Sequence, residues 1–106
     1  LEFRRVLFRS SPAPSIEIPD SVMQIVRTAC MDCHSDNGSA MARGKLNFSK
    51  WSTYDMNKQI NKARKSCEEM GKSSMPPRKW RAKKPELVPT QAQVELFCHW
   101  TKGLSK

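Results

Sequence analysis

The sequence is short of apolar residues and short of acids, and both shortages narrow what it can be. Apolar side chains make up 38% of the 106 residues, and mean hydropathy is −0.67. A core of that size is modest, so a large buried prosthetic group would help to organise the chain. No apolar run approaches the length needed to cross a bilayer. No alternating apolar and polar run is long enough to read as a strand. The length leaves no room for a catalytic domain beside a cofactor domain. The first ten residues also lack the apolar core and small-residue cleavage site of a secretory signal.

Ten acids face nineteen lysines and arginines, a formal charge of +9. Thirteen of the cations fall between Arg43 and Lys84, where only Asp55, Glu68 and Glu69 oppose them. Such a bias governs association with acidic partners more than it governs fold. It does not by itself indicate nucleic acid, because no motif for reading bases or phosphates accompanies it.

The amino-terminal stretch differs from the rest. Val6-Leu7-Phe8-Arg9-Ser10 resembles a reading frame carried through a sequencing-adapter end, and Ser11 to Ser15 is a Pro/Ser linker. Residues 1–15 are therefore expected to be a disordered tail of non-native or linker origin, with the domain over 16–106. Resequencing that found those codons contiguous with the gene would remove the first part of this expectation.

Three helices are legible in the spacing. The first begins at Asp20, read as an N-cap, and carries Val22, Ile25, Val26, Ala29, Cys30 and Cys33 on one stripe. The second starts near Ser52 or Thr53. It carries Met56, Ile60, Ala63, Cys67 and Met70, with Gly71 as its stop. The third opens on Thr90-Gln91-Ala92-Gln93, a capping-box pattern, turns Val94, Phe97, Cys98 and Thr101 inward, and ends at Gly103. Ser35 to Ser49 and Lys72 to Pro89 read as irregular connections. The expected fold is all-α, about three main helices with long loops.

Cys30-Met31-Asp32-Cys33-His34 carries the chemistry. Two thiols three residues apart on a helical turn can add to the two vinyl groups of a haem, and the adjacent histidine then reaches the iron. A zinc site would want a second close ligand pair, and only Cys98-His99 remains as one. A thioredoxin-like dithiol would want a βαβ context, which is absent. The reading is therefore one covalent haem c, held by Cys30 and Cys33 and ligated by His34.

A second axial ligand should lie on a loop that folds back over the haem. Met75 is the candidate, since Pro76 and Pro77 restrict the backbone after it. His/Met coordination raises the reduction potential. Met70 and His99 are the runners-up. Cys67 and Cys98 fall on inward stripes of separate helices. In an oxidising compartment they can form a disulfide, and otherwise they pack as buried thiols.

The order of these motifs resembles the small haem-binding domain family of bacterial periplasmic c-type cytochromes. The resemblance rests on Cys-Met-Asp-Cys-His-Ser (30–35), Leu-Asn-Phe-Ser-Lys-Trp (46–51) and Cys67-Glu68-Glu69. It continues through Ser74-Met75-Pro76-Pro77 and Leu96-Phe97-Cys98-His99-Trp100, so it covers roughly residues 20 to 104. It implies a cytochrome c-like haem-binding domain with Met75 as distal ligand. Two features depart from the family. Asp36 to Gly44 is Gly/Ser-rich where Thr-x-x-Pro-Trp-Tyr is usual, and Lys84-Pro85 stands where a His-Pro pair is usual. Phe48, Trp51, Trp80 and Trp100 are available to wall the pocket, and Trp51 is taken as a haem contact.

Two functions follow from these residues. A non-enzymatic electron carrier would use iron filled on both sides by His34 and Met75, docking on redox proteins that present an acidic surface. A haem-based sensor, small-ligand binder or peroxidase-like module would need a labile sixth ligand. Covalent haem attachment places either outside the cytoplasm, in the periplasm or an equivalent compartment.

Overall fold

The computed structural model describes residues 15–105. The expected tail therefore lies outside the described residues except for Ser15, whose hydroxyl accepts from Gln59 Nε2 at 3.0 Å. Among the described residues the fold is all-α, with five α-helices and no strand.

Helix α1 (Asp20–Ile25) runs directly into a π-helical turn, Val26–Cys30. Pro19, not Asp20, is the residue outside the first turn, and its carbonyl accepts from Val22 and Met23. Val22, Ile25, Val26 and Ala29 are buried, as their spacing requires. The π turn, closed by Met31 N–H on the Val26 carbonyl at 3.0 Å, inserts an extra residue into the helical repeat. The expected single stripe through Cys33 is therefore broken. Cys30 ends the helix, and Cys33 lies in the turn beyond it.

The connection read as irregular over Ser35–Ser49 contains a helix, α2 (Ala40–Lys45). Ser39 caps it, accepting from the Ala42 amide at 3.2 Å. A 3-10 segment, Phe48–Thr53, follows. Helix α3 (Met56–Gly71) begins three residues later than Thr53, because Asp55 supplies the cap to Lys58 N–H at 2.8 Å. At its far end the left-handed residue is Ser73 (φ 63°), not Gly71. The stretch Lys72–Pro89 holds α4 (Arg78–Lys83), which starts after Pro77, and a 3-10 turn over Pro85–Leu87. Helix α5 (Gln91–Lys102) has the expected capping box. Thr90 Oγ1 accepts from Gln93 N–H, and Gln93 Oε1 accepts from Thr90 N–H.

α3 lies along α5, and Cys67 and Cys98 join them in a disulfide with 5.1 Å between their α-carbons. Phe97, fully buried, meets Val22, Ile25, Val26 and Met70 in one core cluster, with Trp100 edge-on to it at 5.4 Å. A second cluster gathers Leu46, Trp51 and Ala63. Between them sits Gln59, also fully buried. It donates to the Trp51 carbonyl at 2.9 Å and accepts from Ile16 N–H at 2.7 Å. A buried amide is tolerated there because both of its ends are paired.

Candidate functional site

The turn after the π segment is compact. Cys33 and His34 amides both donate to the Cys30 carbonyl, at 3.2 and 2.8 Å. The chain then folds back so closely that a Cβ on Gly38 would lie 1.8 Å from the Cys33 carbonyl oxygen. Only glycine fits that approach.

His34 is oriented by backbone. Its Nδ1 is 3.0 Å from the carbonyl of Ala42 and 3.0 Å from that of Leu46. Both partners can only accept, so Nδ1 carries the proton and Nε2 keeps its lone pair. That is the arrangement of a metal-ligating histidine whose other nitrogen is fixed by an acceptor. The carbonyls come from α2 and the residue after it, in a stretch the sequence did not mark as structured. His34's own carbonyl accepts from Phe48 N–H at 2.8 Å, tying the turn to the next segment.

Two clefts open at this turn. The narrower is lined by Ala29, Cys30, Cys33, His34, Met70, Met75, Pro76, Pro77 and Trp80. The wider, about 480 Å³, shares Cys30, His34, Met70 and Met75 and continues to Leu46, Phe48, Asn61, Lys62 and Lys65. That volume lies in the range of cofactor pockets. The structure thus brings Cys30, Cys33, His34 and Met75 around one space. Met70 joins them, whereas His99 is exposed and lines neither cleft.

Trp51, taken as a haem contact, lines neither cleft. Its indole N–H donates to the Ile16 carbonyl at 2.8 Å, and its ring packs in the second core cluster. Phe48, stacked on it at 5.8 Å, is the aromatic that reaches the wider cleft. Trp80 lines the narrower one, and Trp100 stays in the core.

The Met75 segment hangs from the end of α3. The Glu69 carbonyl accepts from Ser74 N–H at 3.0 Å and Met75 N–H at 3.3 Å, and the Glu69 carboxylate accepts from Ser74 Oγ at 2.7 Å. On its other side, Asp32 Oδ2 accepts from Trp80 Nε1 at 2.8 Å and from Lys84 Nζ at 2.6 Å. The Lys84 contact, then the Trp80 contact, hold the Asp32 carboxyl below its ordinary range.

The two thiols at the turn remain free, while the other two cysteines are bonded to each other. Burial, with a smaller contribution from Cys33, pushes the Cys30 thiol up to about 12. Redox-active dithiols depend on the opposite shift. Among the described residues, no three His, Cys, Asp or Glu side chains are grouped to hold a bare metal ion. The turn therefore lacks the ligand set of a zinc site.

A family model described as a haem-binding domain matches residues 39–103, more than half of the chain. The chain belongs to the haem-binding domain family. The matched stretch contains Met75, Phe48, Trp80 and both disulfide cysteines. The Cys30–His34 turn lies ahead of it, so its role rests on the geometry above. No curated protein and no solved structure matches the chain. For this haem-binding domain the residues present suit a haem. The clefts at the turn, mostly apolar in their lining, share an oriented imidazole and a thioether, and the two free thiols line the narrower one.

Proposed function

We propose that this domain is a monohaem c-type cytochrome module that transfers single electrons, and not an enzyme. The observation that carries the reading is the fixed tautomer of His34, with Nε2 free at a cleft that Cys30, Cys33 and Met75 share. Haem supplies the ferric/ferrous couple, and the chain's residues hold and tune it. Cys30 and Cys33 would anchor the haem as thioethers, and His34 and Met75 would supply an imidazole and a thioether sulfur to its iron. Leu46, Phe48 and Met70 keep water from the ring faces. Asn61, Lys62 and Lys65 also line the wider cleft and would suit the two propionates.

The remaining cations between Arg43 and Lys84 make an acidic face on a redox protein the matching docking surface. The Cys67–Cys98 disulfide supports this reading's oxidising compartment, the periplasm or an equivalent, which covalent haem attachment would also require. Among the described residues no helix is long and apolar enough to cross a membrane.

Met75 is 36% exposed, and this exposure favours a second reading, a sensor or small-ligand binder whose distal sulfur is displaced. One experiment separates the two. Protein matured in a host with a periplasmic haem-attachment system is examined by absorption in both oxidation states. Electron transfer requires covalent low-spin haem with a ferric sulfur-to-iron band that Met75→Ala abolishes. High-spin ferric haem that takes up cyanide at once supports the second reading. Protein lacking covalent haem defeats both.

A further inference from the structure

We infer that Asp32 is a positioning residue that latches the Ser74–Lys84 segment across the haem cleft and so sets how readily the distal side of the iron opens. The inference deepens the cytochrome reading and rests on haem occupying the cleft.

Asp32 sits between the two attachment cysteines, where it serves neither spacing nor burial. Its side chain is 47% exposed, yet one carboxylate oxygen receives two donors from 48 and 52 residues further along. Both are charge-assisted, and the Trp80 indole N–H is directional. Trp80 also lines the narrower cleft beside Met75, Pro76 and Pro77. Holding the indole by its nitrogen therefore holds one wall of the site.

The latch transmits to Met75 because little chain lies between. α4 begins at Arg78, and Arg81 N–H bonds back to the Pro77 carbonyl at 3.0 Å. Only Pro76 and Pro77 separate Met75 from this helix, and each proline ring fixes a torsion. On the other side Met75 is tied to the Glu69 carbonyl. The segment thus has two moorings, α3 at one end and the attachment turn at the other. Thioethers on Cys30 and Cys33 would clamp the second mooring from both sides. Releasing it leaves the segment hinged at Ser73, a residue already in the left-handed region.

An exposed ion pair contributes little to global stability. It can still shift a closed/open equilibrium of one segment by a readable factor. The test uses the matured holoprotein and follows cyanide binding to ferric haem, with the sulfur-to-iron band and the denaturation midpoint measured alongside. Asp32→Ala and Trp80→Phe are each expected to speed cyanide binding by about 5- to 20-fold, with little change in midpoint. The double variant should be no faster than the faster single one, because both remove the same latch. Asp32→Asn, which still accepts from the indole, should fall between wild type and Asp32→Ala.

Unchanged cyanide rates in Asp32→Ala and Trp80→Phe overturn the inference. Asp32 lies inside the attachment motif. If its variants are not matured, Trp80→Phe and Lys84→Ala, outside the motif, carry the same comparison. The wild-type band reports separately on Met75. Its absence would remove Met75 as ligand, while the cyanide rates would still decide whether the latch guards the iron.

Discussion

The two sides of the cleft are built from different materials. On the histidine side, backbone does the holding. Two carbonyls fix His34 Nδ1, two amides close on the Cys30 carbonyl, and Gly38 lets the chain pass within contact of Cys33. On the methionine side, side chains do most of it, through Ser74 with Glu69 and through Asp32 with Trp80 and Lys84. Ser35, beside His34, is buried, whereas Met75 is 36% exposed. Backbone interactions survive most substitutions, and side-chain moorings can be altered one residue at a time. The histidine side is thus the fixed reference of the site, and the methionine side is the part that substitution can tune.

The largest expected effect breaks the fixed side. Gly38→Ala puts a methyl group into the Cys33 carbonyl, and no flexible side chain is there to yield. Loss of the folded, haem-bearing form is expected, checked by the yield of covalent haem and by circular dichroism. A matured variant with wild-type stability would show that the histidine side is more pliant than its contacts suggest.

Removing the disulfide with Cys67→Ala and Cys98→Ala together comes next. The cysteines are 31 residues apart, and freeing a loop of that length should cost about 3–4 kcal/mol in denaturant unfolding. The bond braces α3, from which the Met75 segment hangs. The sulfur-to-iron band should therefore weaken before the covalent haem spectrum does.

Asn47→Ala probes the fixed side more gently. Asn47 is buried, caps the Phe48 turn through Ser49 N–H at 2.9 Å, and donates to Asp36 at 2.9 Å. A loss of about 1–2 kcal/mol is expected. Because Asn47 follows Leu46, whose carbonyl orients His34, the reduction potential should move as well. A stability loss with an unchanged potential would separate the cap from the imidazole.

The smallest effect is a gain. Ser73→Gly relieves a left-handed serine at φ 63°, and the more flexible unfolded chain offsets part of that relief. The net should be below about 1 kcal/mol in stability, read from the denaturation midpoint. Faster cyanide binding in the same variant would show that the strained serine also stiffens the methionine side.

These contrasts bear on what the sequence could disclose. The main helices were legible because each buries a stripe, and the pairing of Cys67 with Cys98 follows from two such stripes facing each other. Cys30, Cys33, His34 and Met75, which line one cleft, were singled out by residue type alone. α2 was not. It buries none of its six residues, so no periodicity announces it, and its service to His34 is done by carbonyls that every residue has. The π turn was hidden for the opposite reason, since the apolar spacing through Ala29 is the same with or without it. Trp51 and Phe48 could not be told apart by pattern. A hydrogen bond from the Trp51 indole to Ile16, 35 residues away, turns it inward and leaves Phe48 to the cleft.

The disulfide has a consequence for how the protein must be made. Any two of the four cysteines could pair first, and joining Cys67 to Cys98 is the single choice that leaves both Cys30 and Cys33 reduced. On the c-type reading proposed above, the closest pair in sequence is the pair that must stay apart. An oxidising compartment would otherwise close that short loop first, and a disulfide there would leave no thiol to meet a vinyl group. Biogenesis is therefore a sorting problem among four thiols. If haem is attached covalently in such a compartment, it has to reach Cys30 and Cys33 before oxidation does, or a reductant has to reopen them, while α3 and α5 come together around the Cys67–Cys98 bond.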